Sequence, residues 1–338
     1  MSRTKIFLAI FVLILSSLAC TTIMGEEKPY YEEDNIFVPD EPQTQDLPPQ
    51  GQNNSCPLVT DQILESAQFA GESESEGLDE EIVLVTYGVT GDEIYDPYFE
   101  DVSSDLQDEQ NDEFAHQEVW NLYTSLIPQQ DREMLAEYAI ITDGVDNVLA
   151  AVTQTVDDPN SWALQVDIAD ISDKNNLVFT LIHEHGHLLT LNANQVPPSL
   201  AVFNNPEDDN IYFNEVSACP NYFPGEGCAN ADSYIDDFYN QFWLELHVEW
   251  NEINLIEDDD EYYEQLDEFY FRYEDRFVTD YAATNPEEDI AETWTFFVLS
   301  QKPDGDTIAE QKILFFYQYP ELVQLREDII ENLCLNFQ

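Results

Sequence analysis

The chain has 338 residues, 43% of them apolar and 13% aromatic, and sets 71 Asp and Glu against 10 Lys and Arg, a formal net charge of −61. So many Phe, Tyr and Trp residues give it the means to bury a core, which excludes wholesale disorder. The charge excludes nucleic acid and anionic lipid headgroups as partners, because both would be repelled.

Residues 1–19 read as a secretory signal: Arg3 and Lys5, an apolar run from Ile6 to Leu15, then small residues before Cys20. That run is too short to span a bilayer comfortably. Ala19 before Cys20 resembles the lipobox of bacterial lipoproteins, with Ser17 departing from that pattern. Cys20 is therefore expected to carry lipid and hold an exported protein at the cell surface, free secretion being the other reading. The cysteine count agrees, since five cysteines leave one over after pairing. Cys219 and Cys228 close a short Pro- and Gly-containing loop and are expected to pair, leaving Cys56 for Cys334.

Residues 20–81 are acidic and rich in Pro, Gly and Ser, which reads as a tether. The folded domain is expected over 82–338. Strand signals fall at 82–87, 139–142, 148–156 and 162–168. Helical spacing is found at 105–126, in a short piece at 129–138, and at 176–191, 232–250, 260–277, 286–300, 306–318 and 320–333. Strands first and helices afterwards argue for an α+β domain. Acidic runs such as residues 257–261 read as solvated faces. They suit a saline habitat, with calcium at clusters such as Asp208 and Asp209 as the other explanation.

One motif carries chemistry. His183, Glu184 and His187 fill H-E-x-x-H inside an apolar helix, and these residues include two of only five histidines. Positions i and i+4 share a helix face, so both imidazoles can reach one metal ion. Glu184, beside the first ligand, can meet a water at that ion. His185 points off that face and reads as a supporting or surface residue. His116 and His247 are isolated, and His247 reads as packed or surface. A catalytic zinc needs a third protein ligand. Glu288 and Glu292, one turn apart on an apolar stripe, are the candidates. One of them can bind the ion while the other accepts from a ligating histidine. Asn285, Pro286, Glu287 and Glu288 equally suit a capped helix start, which would account for Glu288 without a metal.

The H-E-x-x-H motif followed by Tyr281, Thr284, Asn285, Glu288, Ala291 and Glu292 resembles the gluzincin zinc metallopeptidases, in particular the catalytic domain of anthrax lethal factor and its bacterial relatives. Exported lipoproteins with the same motifs are a related group. The resemblance covers residues 175–195 and 278–300, with a longer intervening segment here. It implies a zincin-like domain with a small, mostly antiparallel sheet ahead of a helical part. It implies zinc on His183, His187 and Glu288, with Glu184 as general base and Tyr281 donating to the oxyanion. Glu292 would orient a ligand. The implied activity is extracellular endopeptidase action on a peptide or protein substrate by a monomer, whose other partner is the membrane through its lipid anchor. In this family the substrate is held as an added strand, for which the residues here suggest Trp162–Ile168. The alternative is an inactive zinc-binding surface scaffold.

Overall fold

The computed structural model describes residues 56–67, 81–144, 148–256 and 258–336. The signal, Cys20 and most of the expected tether lie outside the described residues. The elements in chain order are α1 (Cys56–Ala67), β1 (Ile82–Thr90), β2 (Glu93–Phe99), the one-turn α2 (Gln107–Gln110), α3 (Glu113–Leu126), β3 (Leu135–Thr142), β4 (Ala150–Gln154), β5 (Trp162–Asp167), α4 (Lys174–Leu191), α5 (Leu200–Phe203), α6 (Asp209–Ala218), α7 (Tyr234–Phe242), α8 (His247–Ile253), α9 (Asp259–Arg272), α10 (Pro286–Leu299), α11 (Ile308–Phe316) and α12 (Pro320–Asn336). The fold class is α+β. Within the expected tether, α1 packs on α4, α10 and α12 with Ile63 fully buried, so the folded body reaches back to this helix. No helix among the described residues is long and apolar enough to cross a membrane.

The five strands form one mixed sheet in the order β2-β1-β3-β5-β4. Three pairings are antiparallel, and β3 with β5 is parallel. Alternation sends Tyr138, Ile140, Leu164 and Val166 to the face that meets the helices, and Ala139 and Ile141 to the other. The strand expected to take the substrate, β5, is corrected by this order. It is interior, paired on both sides and buried along its whole length. A strand so placed has no unpaired N–H or C=O row to offer, and the edge on that side is β4.

β2 lies outside the strands expected from the sequence. Asp96, with φ 47°, and Pro97 sit where its register with β1 shifts, a bulge that only an edge strand tolerates. The expected helix at 232–250 is instead two, α7 and α8. No Gly or Pro marks the break. The fully buried Trp243 sits there, its indole N–H donating to Asp289 at 2.6 Å. The short helix expected at 129–138 is one 3-10 turn, after which β3 begins.

Two helices place the site. α4 is capped by Asp173, whose carboxylate accepts from the N–H groups of Asn175 and Asn176. It is buried on nearly every side, as expected for a central helix. α10 starts on the Asn285 cap with Pro286 in its first turn. The two touch closely at Gly186. A Cβ there would stand 3.0 Å from Ala291 Cα and 3.0 Å from Trp294 Cδ1, so a glycine is what lets α10 approach the histidine face.

Candidate metal centre

His183 Nε2 lies 3.1 Å from His187 Nε2 and 3.0 Å from Glu288 Oε2, and His187 Nε2 lies 3.3 Å from the same oxygen. Three polar atoms from residues 105 positions apart thus converge on one point. All three side chains are buried. The Asn285 side chain caps Glu288 N at 2.8 Å, as a helix start requires, but the Glu288 carboxylate turns to the histidines instead of closing a capping box.

Glu292 has a different job. Its Oε1 is 2.8 Å from His183 Nδ1, and its Oε2 accepts from the Thr279 hydroxyl at 2.7 Å. Both oxygens are engaged, and the ring plane of His183 is thereby fixed. Burial pulls the His183 imidazole down, but hydrogen bonds to Glu288 and Glu292 outweigh it and raise its pKa well above the ordinary value. Burial likewise pushes Glu288 up, and the two histidines more than reverse that. With a carboxylate at each ring nitrogen, His183 is placed to hold positive charge, which a metal cation among the three atoms could supply in place of a proton.

Glu184 is buried beside the two histidines, and the three can offer ligand atoms within 4.8 Å of one another. This group could hold a metal ion. Burial pushes the Glu184 carboxyl up to about 7, moderated by the charges of His187 and His183. The backbone N–H of Val152, on the edge strand β4, approaches the same carboxyl. The acid therefore lies between the histidines and the open edge of the sheet.

Tyr281 stands on a 3-10 turn just before α10, its ring 5.9 Å from that of His183. The side chain is 51% exposed, yet its hydroxyl faces Glu288, whose charge, with burial second, raises its pKa well above the ordinary value. His185 is fully buried, not at the surface. Its Nε2 donates to the Asp131 carbonyl at 3.1 Å and its ring lies against Trp294. His116 bonds Tyr87 and the Glu109 carbonyl, and His247 packs against Tyr239 and Trp250, so neither joins the cluster.

The Cys219–Cys228 disulfide is present. Cys334 is also disulfide-bonded, and the side chain of its expected partner, Cys56, lies outside the described residues. The sequence points to neither Thr279 nor Val152, and it reads the segment holding the Cys219–Cys228 loop as one that bears on substrate choice, with no contact assigned. Tyr222, in that loop, donates to Glu287 Oε1 at 2.8 Å, next to Glu288. No family model, curated protein or solved structure matches the chain.

Proposed function

We propose that this protein is an exported, zinc-dependent endopeptidase. The observation that carries the reading is the spacing of His183 Nε2, His187 Nε2 and Glu288 Oε2, at 3.0, 3.1 and 3.3 Å. An ion held tetrahedrally by bonds of about 2.0–2.1 Å needs its ligand atoms about 3.3–3.4 Å apart. Two imidazoles and one carboxylate, with a fourth position left for water, are a donor set that suits zinc. Zinc bound there supplies Lewis acidity toward water and toward the substrate carbonyl.

The chain's own groups do the rest. Glu184, held in a buried site with its proton affinity raised, takes the proton of the attacking water and returns it to the leaving amine. Tyr281 presents its hydroxyl beside Glu288 and donates to the developing oxyanion. Glu292 and Thr279 hold the His183 ring. A peptide laid along the edge of β4 would pass Glu184, whose carboxyl already meets the Val152 N–H of that strand. The disulfides support export, because they persist only in an oxidising compartment.

The test is metal content and peptide turnover of the wild type beside Glu184→Gln. One zinc per chain in both, with turnover lost only in the variant, is the expected result. Equal turnover in the two would refute the role of Glu184. Zinc in both with no turnover in either would favour an inactive binding scaffold.

A further inference from the structure

The Tyr281 side chain is half exposed, so packing alone does not pin it and the turn that carries it has to be held. That turn is braced locally. Asp280 Oδ1 accepts from Tyr281 N at 2.8 Å, and the Thr284 hydroxyl donates to the Tyr281 carbonyl at 2.8 Å. From α8, the indole N–H of Trp250 donates to the Thr284 carbonyl at 2.7 Å. These bonds fix the shape of the turn, but none of them ties it to the histidines.

Thr279 supplies that link. Its hydroxyl donates to Glu292 Oε2 at 2.7 Å and accepts from the Ala282 N–H at 3.1 Å. One hydrogen and two lone pairs let a single hydroxyl do both. A hydroxyl that donates to a carboxylate becomes a better acceptor, so the two bonds strengthen each other. The other oxygen of Glu292 lies 2.8 Å from His183 Nδ1. A continuous chain of contacts therefore runs from the His183 ring through Glu292 and Thr279 to the backbone of Ala282, the residue after Tyr281. Ala282 is fully buried, which fixes that end, and the Tyr281 ring stands 5.9 Å from the His183 ring.

We infer that Thr279 is a positioning residue for the oxyanion donor: its hydroxyl locks the turn of Tyr281 to the carboxylate that orients His183, so that donor and metal ligand keep one fixed separation. This rests on the reading of His183 as a ligand and of Tyr281 as the donor. It gives the hydroxyl that steadies the His183 ring a second task, on the group that meets the substrate. Valine has the shape of threonine without the hydroxyl and breaks both bonds, whereas serine keeps both.

The experiment compares the full chain as wild type, Thr279→Val, Thr279→Ser, Tyr281→Phe and the Thr279→Val/Tyr281→Phe pair. It reads zinc affinity by competition with a chromogenic chelator, peptide turnover at saturating zinc, and hydrogen exchange at the Ala282 amide with and without zinc. Tyr281→Phe should lower kcat about 100-fold with zinc affinity kept. Thr279→Val should lower kcat about tenfold, less than the roughly 100-fold a 1 Å misplacement can cost. Its zinc affinity should fall about tenfold, the low end for a lost partner, because Thr279 acts on His183 through Glu292. Thr279→Ser should restore both. The double variant should turn over no more slowly than Tyr281→Phe alone, since the group that Thr279 positions is already gone. Zinc should slow Ala282 exchange in wild type and Thr279→Ser but not in Thr279→Val. Ala282 exchange in wild type that is indifferent to zinc would overturn the inference, and this arm needs no variant to fold. So would a Thr279→Val loss of kcat that is equal with and without the Tyr281 hydroxyl, which would leave Thr279 acting on His183 alone and the metal site standing. A Tyr281→Phe variant with normal turnover, or a wild type that holds zinc without turnover, would overturn the donor and the inference together. A wild type that binds no zinc would overturn the site as well.

Discussion

The first turn of α10 is anchored from below by a buried ion pair, and this gives a test of the scaffold that needs no assumption about function. Lys312 Nζ lies 2.5 Å from Asp289 Oδ2, and both side chains are fully buried. Trp243 donates to the same oxygen, and Lys312 also sits 4.2 Å from the centre of the Phe277 ring. Burial pushes Asp289 up to about 6 despite Lys312, and burial pulls Lys312 down despite Asp289. In both groups desolvation outweighs the attraction of the partner, so the pair contributes little net stability, although breaking it is costly. Lys312→Met leaves Asp289 buried with only the Trp243 N–H and a long 3.4 Å contact from Thr293. The expected loss is about 3–5 kcal/mol, read by urea unfolding at neutral pH. It should shrink at lower pH, where the stranded carboxyl takes up a proton.

Lys312→Met with Asp289→Asn removes both charges and keeps an acceptor for Trp243. This double variant should lie within about 1 kcal/mol of wild type, or above it. The coupling energy is then as large as the two single losses summed. A single-variant loss below about 1 kcal/mol, or a double variant as unstable as the two singles summed, would refute the reasoning. Asp289 adjoins Glu288, so the single variant should also bind zinc more weakly than the double.

Four further outcomes are expected. Glu288→Gln should lose zinc while Glu292→Gln keeps it with affinity about 10–100-fold weaker, as read by metal analysis after dialysis. Gly186→Ala should cost about 1–3 kcal/mol in urea unfolding, since the new methyl meets the Ala291 backbone at 3.0 Å. Asp167 is fully buried, and burial together with a shared hydrogen bond to Asp143 raises its pKa from 3.8 to about 7. The stability this brings is full below 3.8 and lost as pH rises through 7, so Asp143→Asn, which supplies a permanent N–H donor, should flatten the decline of stability with pH. The melting temperature should rise between 0.1 and 1 M salt, as the screening length falls from about 10 to about 3 Å around a chain of −61 net charge.

Most of the element types were legible because their signals are local. The Asp173 and Asn285 caps, Pro286 and the apolar spacing of α4 and α10 act within a turn or two of chain. Two of the misses occur where a distant contact decides, whereas α6, also outside the expected helices, starts on a local Asp208 cap. β2 contains Pro97, a breaker in isolation, and is strand only because β1 offers it an edge. The α7–α8 break follows a Trp243 contact with Asp289, 46 residues away. The place of β5 was partly readable. Trp162, Ala163, Leu164 and Val166 form a run with little alternation, which favours a strand buried on both faces over an exposed edge.

The site was legible to the extent that it lies on two helical turns. His183 with His187, and Glu288 with Glu292, are i and i+4 pairs whose shared faces follow from helix geometry alone. The partners outside those turns were not, because nothing local to Thr279 or Val152 ties either to the histidine face. What separates the structural acids from the solvated ones is the donor each finds. With only 10 Lys and Arg in the chain, few buried carboxylates can be met by a cation. Asp289 has Lys312, but Glu287 is met by Tyr222, Glu292 by Thr279 and His183, and Asp167 by the backbone N–H groups of Asp143 and Ala169. Against that pattern Glu288 stands apart, since its Oε2 faces two imidazole nitrogens at 3.0 and 3.3 Å that themselves lie 3.1 Å apart. Three such atoms repel one another unless a positive charge sits between them. In a chain so poor in cations that charge has to be a proton or a metal ion, and the geometry suits the metal ion better because one proton can bridge only two of the three atoms.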